Sequence, residues 1–219
     1  MLYNIDTIGR EAIDHLALKH AARERALPKS RAAVRYCANS IRATHRQEFR
    51  VAEELMSQAA TLLAEMTIDL RDHQDIYYAG FVQDAQKEYA EAVTFAALAQ
   101  HHSLPLPDEL AMSYAAYLNG LAEAVGELRR YVLDQLRHDN YDDCEIFLRY
   151  MDDIYALLIS VDFPDAITSG LRGTTDAARG ILEKTRGDLT AAISQAHLQQ
   201  SMIKLQQELQ KFDSNRDVR

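Results

Sequence analysis

The sequence predicts an all-α fold: a single domain of six or seven helices, packed as an antiparallel helical bundle, with no strands. Three observations carry this. Eight Gly and four Pro are few for 219 residues, which argues against a β protein rich in turns. A hydrophobic content of 47% is enough for one substantial core at this length. Apolar residues recur at helical spacing along most of the chain, in stretches separated by turn signals. The chain shows neither a charged head with an apolar run at its start nor a window of about 18 apolar residues, so a soluble, cytoplasmic protein with no membrane contact is expected. Cys37 and Cys144 form no CxxC pattern and read as buried free thiols.

Taken in order, residues 1 to about 5 form a lead-in, and Asp6 or Thr7 caps a helix running to about Ala26, with Ile8, Ile13, Leu16 and Leu18 among its apolar residues. Leu27-Pro28 breaks it, because proline lacks the N–H donor and disfavours helix in the residue before it. Ser30 begins a long helix carried to about Met66, with Val34, Cys37, Ile41, Leu55, Ala59 and Leu62 on its core side. The polar run Thr67–Gln74 is a bend. A helix follows from about Asp75 to His102, with Tyr77, Tyr78, Phe81, Val82 and Phe95 adding bulk to the core; His101 and His102 end it, where the helix dipole favours positive charge.

Ser103-Leu104-Pro105-Leu106-Pro107 is the clearest linker, and Asp108 caps the next helix, which reaches about Arg137 with Leu110, Tyr114, Tyr117, Leu121, Leu128 and Val132 on its apolar side. After a turn at His138–Tyr141, Asp142 and Glu145 have capping-box spacing. The helix from about 142 to 161 buries Ile146, Phe147, Met151, Ile154, Leu157 and Leu158. Phe163-Pro164-Asp165 ends it, and Gly170 and Gly173 mark a loose connection. The pattern is helical again from Thr174 to about Phe212, with Ile181, Leu182, Leu189, Ile193, Leu198, Met202, Leu205 and Leu209 as its apolar side. The domain therefore spans 1–213, and 214–219 is expected to be a frayed tail.

The net charge of −9 hides an asymmetry. Lys19–Arg50 holds nine Lys or Arg against two acids, a segment charge of +7 that leaves −16 for the remainder. At about 100° per residue, Arg31, Arg35, Arg42 and Arg46 fall within roughly 60° of one another, opposite the core side of the same helix. The stripe is about 20 Å long at 1.5 Å per residue. Arg forks bidentately to phosphate oxygens, where Lys acts as a point charge, so the stripe suits phosphate. A solvated basic face, or one paired with acids of a neighbouring subunit, is the alternative.

Two acidic pairs stand out. Glu88 and Glu91, three apart, lie one above the other on one helix face, with Asp84 a turn earlier on the same side. Glu123 and Glu127 share a face with Ala116 and Gly120. Glycine inside a helix costs about 1 kcal/mol relative to alanine, and a close neighbouring helix is one reason to keep it. Helices joined by a short Pro-rich loop are usually antiparallel neighbours, which would let the two pairs face each other. Four carboxylates in one layer repel unless some take protons, some reach water, or a cation joins them. All-oxygen donors suit a hard divalent ion, Mg²⁺ or alternatively Mn²⁺. No His has a Glu three residues before it, which argues against a di-iron bundle. HExxH, GxSxG and Gly-rich phosphate loops are missing too, and the acids at Asp139–Glu145 lack the glycine and alternating ligands of a calcium loop. An acidic metal site beside an arginine stripe points to phosphodiester hydrolysis on a nucleic acid.

The segment KEYAEAVTF at Lys87–Phe95 resembles the (Q)EYVEA(V)SF motif of translin-associated factor X (TRAX), in the translin family. In matching order, NSIR at Asn39–Arg42 is similar to a Ser-x-Arg stretch of the family, AYLNGLAEAVGELRR at Ala116–Arg130 to its DYLxG…GEL segment, and FLRYMDD at Phe147–Asp153 to its FLR…D stretch. The match covers roughly Ser30 to Leu189. It implies a translin-like helical fold, octameric assembly, and Mg²⁺-dependent endoribonuclease activity on RNA enclosed by the shell. Translin-type members bind RNA or single-stranded DNA without the acids. A homo-oligomer, as in archaeal relatives, would need no separate translin partner. On this resemblance Glu88 and Glu91 are catalytic Mg²⁺ ligands, Glu123 and Glu127 are further catalytic acids or ligands, and Arg31, Arg35, Arg42 and Arg46 contact RNA phosphates. By this resemblance the family's third catalytic acid is the Asp of DYLxG, and that position here is Ala116. Either Glu123 or Glu127 substitutes, or the nuclease is weakened, or the alanine marks an engineered inactive variant. Glu123 lies two turns, about 10 Å, beyond Ala116, so its use implies a changed site.

Overall fold

Helix α1 (Ile5–His45) runs unbroken through Pro28 in the computed structural model, which describes residues 4–216, with side chains through residue 210. The expected break at Leu27-Pro28 does not form. Losing the Pro28 hydrogen bond and fitting its ring costs about 3 kcal/mol, but Ala22, Ala26, Ser30 and Ala33 continue one buried stripe across it, and the Ser30 hydroxyl donates to the Phe81 carbonyl at 2.8 Å. Packing overrides local propensity here.

The chain turns instead at Arg46–Glu48. Gln47 takes the left-handed conformation (φ 59°), its N–H bonds the Thr44 carbonyl at 2.9 Å, and the Glu48 N–H bonds the Ala43 carbonyl at 2.9 Å. That pair of bonds is a Schellman motif made without glycine. Helix α2 (Phe49–Asp69) then folds back along α1: Ser40 donates to Ala52 at 3.1 Å, and Lys29 reaches both Glu65 and Asp69 at 2.9 Å. A turn leads to the short α3 (Gln74–Tyr77) and, after Tyr78 and Ala79, to α4 (Gly80–Ala99). His101, also left-handed (φ 56°), closes α4 with the same two-bond motif.

Helix α5 (Tyr114–Leu136) starts at Ser113, whose hydroxyl accepts the Ala116 N–H at 3.2 Å; Asp108 lies in the preceding irregular segment. Helices α4 and α5 run parallel, not antiparallel. Ser113 bonds Gln83 at 3.0 Å near the start of both helices, Gly120 lies against Ala90 and Glu91, and Phe95 meets Tyr131 towards their ends. The stretch 100–113 is a crossover. At about 3.3 Å per extended residue it can span about 45 Å, more than the ~30 Å of α4. The Tyr117 hydroxyl donates to the Pro105 carbonyl at 2.8 Å, tying the returning strand of chain to α5.

Helix α6 (Tyr141–Ser160) folds back on α5, the short α7 (Asp165–Thr168) makes a corner, and α8 (Leu171–Arg216) runs along α5. Asn119 Nδ2 donates to the Thr168 carbonyl, and the Thr174 hydroxyl to Asn119 Oδ1, both at 2.8 Å, while Arg129 bonds Asp188 at 2.7 Å. The Asp142/Glu145 capping box does not form; Asn140 precedes α6 and bonds Asp143 instead. Helices α1, α4, α5 and α8 thus share one direction, with α2 and α6 running against it. No strand occurs among the described residues, and no helix among them is long and apolar enough to cross a membrane. Helix continues through Ser214 to Arg216, so of the tail expected to fray only 217–219 lie outside the described residues.

Cys37 and Cys144 are buried free thiols. Tyr78, Tyr114 and Leu157, expected on the apolar sides of their helices, are exposed, and so are two longer sets of apolar side chains. Ile5, Ile8, Ile13, Leu16 and Leu18 on the first half of α1, and Leu198, Met202, Leu205 and Leu209 on the last part of α8, are each more than half exposed. Both ends project beyond the helices that would cover them.

Candidate metal centre

Gly120 sets the site. A Cβ there would come within 2.4 Å of the Lys87 carbonyl oxygen, 2.6 Å of the Ala90 Cβ and 2.9 Å of the Glu91 N. Backbone meets backbone at this crossing, so α4 and α5 approach more closely than any side chain at position 120 would allow. The turn of α5 that follows then delivers Glu123 to the face of α4 that carries Glu88 and Glu91. One carboxylate oxygen from each of the three lies within 4.8 Å of the others, and all three side chains are partly buried. The acidic pairs meet, but through a parallel crossing and not across a tight antiparallel loop.

The third carboxylate is Glu123, and Ala116, 3% exposed, is packed into the core two turns away. Glu127 falls outside the three-carboxylate set: its Oε2 is hydrogen-bonded to Nε2 of His45, at the end of α1. Lys87 Nζ donates to Glu123 Oε1 at 2.8 Å and orients it. Burial works against the Lys87 charge, but Glu123, with Glu88 and Asp84 behind it, outweighs that and holds the ammonium above the usual lysine range. Neither His45 nor Lys87 carries a signal in the sequence that links it to the acids. Their partners lie on another helix, 82 and 36 residues away.

Electrostatics of the cluster favour a cation. Burial, then repulsion from Glu88, Glu123 and Glu127, pushes Glu91 up to about 8; burial and Glu123 likewise raise Glu88. A divalent ion among the three would supply the positive charge the carboxylates lack, and oxygen donors are what Mg²⁺ and Mn²⁺ take. Cys37, on α1, is no competing ligand: burial and the nearby Glu88 and Glu91 charges push its thiol up to about 12, away from the thiolate that binds metals.

A pH dependence follows. In the metal-free protein Glu91 holds its proton up to about 8, whereas in the unfolded chain it would release it near 4.5. The folded state therefore binds the extra proton between those values, and its stability falls as pH rises through that window. The melting temperature should drop by roughly 5 °C between about pH 5 and pH 8.5, an effect of one to a few kcal/mol, with the proton shared across the coupled acids. Glu91→Gln should flatten the drop; an unchanged slope would show that Glu91 titrates normally.

The arginine stripe divides. Arg42 bonds Asn39 at 2.6 Å and Arg46 pairs with Glu48 at 2.7 Å, at the bend that follows α1. Arg31 and Arg35 are exposed, form no ion pair among the described residues, and line an open cleft of about 910 Å³ with Asp84, Lys87 and Glu88. The half of the stripe nearer the N-terminus adjoins the carboxylates.

No established family model matches the sequence. Over 199 residues it is 32% identical to the uncharacterized protein MJ0175 of Methanocaldococcus jannaschii, covering 89% of this chain and 86% of that protein. The structure of AfC3PO in complex with duplex RNA matches at 34% identity and a TM-score of 0.77, over 84% of this chain and 96% of AfC3PO. The chain belongs to the C3PO/translin family. A crystal structure of AfC3PO alone gives 35% identity and a TM-score of 0.78 with the same coverage. The C3PO/translin fold extends to apo-NeC3PO, where identity is 18% but the TM-score is 0.74 over 88% of this chain and 98% of that one.

Proposed function

We propose that the protein is a divalent-metal-dependent endoribonuclease of the TRAX-like, homo-oligomeric kind, binding RNA within a closed assembly. The observation that carries this is the meeting of Glu88, Glu91 and Glu123 on two helices locked together at Gly120, beside a cleft lined by Arg31 and Arg35. Those three carboxylates would hold Mg²⁺ or Mn²⁺. A bound ion there would lower the pKa of a water and neutralise charge on the phosphate. Arg31 and Arg35 bind the phosphates flanking the scissile one, Lys87 keeps Glu123 in place, and α4 and α5 fix the carboxylates on rigid elements. AfC3PO, 34% identical, has been solved with duplex RNA, which supports RNA as the ligand.

The exposed apolar side chains at the ends of α1 and α8 support assembly with further copies of this chain, octameric in the reading from family resemblance, since isolated they would stay in water. The second reading is a translin-type protein that binds RNA or single-stranded DNA without cutting it; it is favoured by Lys87, which supplies one positive charge to the cluster without any metal.

Incubating labelled RNA with the protein, with Mg²⁺ and with EDTA, and measuring binding beside cleavage, separates the two. Cleavage only with the metal is expected; binding without cleavage under Mg²⁺ or Mn²⁺ would leave the second reading. Replacing Arg31 and Arg35 together by Ala should weaken RNA binding and lower the slope of log affinity against log salt by about 2, close to one for each phosphate contact. The same change at Arg42 and Arg46, which have partners within the chain, should have the smaller effect. Equal slopes for all variants would remove the cleft from the binding path.

A further inference from the structure

His45 is a polar residue in an apolar place. Its side chain is 5% exposed, and its ring lies tilted against Phe95 at a centroid distance of 4.7 Å with Tyr131 at 6.3 Å. Nδ1 is buried with no hydrogen-bond partner among the described residues, so Nε2 to Glu127 is the one polar tie of the ring. Leaving a buried polar nitrogen unpaired costs about 1–3 kcal/mol, and a phenyl ring would fill the same space without that cost. The end of α1 is also pinned to α5 a second time: Gln47, the left-handed residue that closes α1, donates to the Tyr131 hydroxyl at 3.4 Å. Residues 127 and 131 are one turn apart, so α1 is docked on the stretch of α5 that follows Glu123.

We propose that His45 is a positioning residue for the carboxylate cluster. It holds Glu127 one turn beyond Glu123, and Glu127 accepts a hydrogen bond from water bound at the Glu88–Glu91–Glu123 site without itself joining the metal. The inference rests on the metal site proposed above. Glu127 stands one turn beyond Glu123 on the same face of α5, outside the three-carboxylate set but on the helix that Gly120 brings against Glu91. With one oxygen engaged by His45, the carboxylate is fixed in place instead of swinging into the solvent it partly faces. Groups in this outer position typically change metal affinity or activity 10–100-fold when removed.

The test is Mn²⁺ binding by the full-length protein, measured by calorimetry, beside RNA cleavage. His45→Phe keeps the ring against Phe95 and removes the donor; it should weaken Mn²⁺ binding roughly tenfold. Glu127→Gln should weaken it by a similar factor, and the double variant should lose no more than either single one, because both remove the same link. His45→Gln, which can place a donor where Nε2 lies, should recover most of the affinity, whereas His45→Asn, too short to reach, should not. That pair decides the question if His45→Phe does not fold. In cleavage, kcat should fall with KM for RNA unchanged. Wild-type Mn²⁺ affinity in His45→Phe, or losses that add fully in the double variant, would overturn the proposal. Weakened Mn²⁺ binding in a protein that cuts no RNA would instead uphold His45 and remove the nuclease reading.

Discussion

Glu88→Ala should abolish metal-dependent RNA cleavage while leaving RNA binding nearly intact. The expected loss is about a thousandfold in kcat or more, the equivalent of some 4 kcal/mol of charge stabilisation that a correctly held ion supplies. Glu88 is one of three carboxylates within 4.8 Å, so its removal takes a third of the donors, whereas Arg31 and Arg35 of the adjoining cleft are untouched. The same substitution should ease the repulsion on Glu91, where the Glu88 charge comes first among the neighbouring charges that raise it, and so make the metal-free protein slightly more stable above neutral pH. A merely structural carboxylate would show the opposite pair of results: cleavage retained and stability lowered. Cleavage at the wild-type rate in Glu88→Ala would end the metal-nuclease reading.

Gly120→Ala should destabilise the protein by roughly 2–3 kcal/mol, lowering the melting temperature by about 5–10 °C, and should separate the carboxylates. The sign is what makes this informative. In an ordinary helix interior the change gains about 1 kcal/mol, and Gly9, Gly173, Gly180 and Gly187, around which an added Cβ meets nothing within 4 Å, should tolerate or welcome it. At Gly120 the new atom meets the Lys87 carbonyl and the Glu91 nitrogen, backbone atoms that cannot rotate away. Helices α4 and α5 must move apart, and Glu123 moves with α5. Mn²⁺ affinity should therefore fall with stability in Gly120→Ala, while Gly180→Ala leaves it unchanged. A stabilised Gly120→Ala would mean that the crossing is looser than the geometry shows.

Much of this was legible in the chain. The helical class follows from composition and periodicity, and the ends of α2 and α6 fall close to where turn residues place them. Gly120 was readable as a candidate close contact because glycine inside a helix costs about 1 kcal/mol and a near neighbouring helix is one reason to keep it. The stop after His45 was not readable, since Gln47 and His101 take the left-handed conformation that usually signals itself by glycine, at a cost of about 1–2 kcal/mol each that only surrounding packing offsets. For the same reason Pro28 was misleading: a local rule lost to a buried stripe that extends on both sides of it. The acids at 88, 91, 123 and 127 could be named from spacing, but spacing treats all four alike.

What the sequence determined by itself was which faces of which helices are acidic, basic or apolar, because periodicity fixes direction around a helix axis. Only the tertiary structure decided how those faces meet. A crossover at 100–113 aligns α4 with α5 in parallel, so that three of the acids converge. The fourth is drawn off by a histidine 82 residues away. That division is physical: the rotation of a side chain about its own helix is a local property, while the height at which two helices touch depends on the backbone contact at Gly120 and on the path of the chain between them.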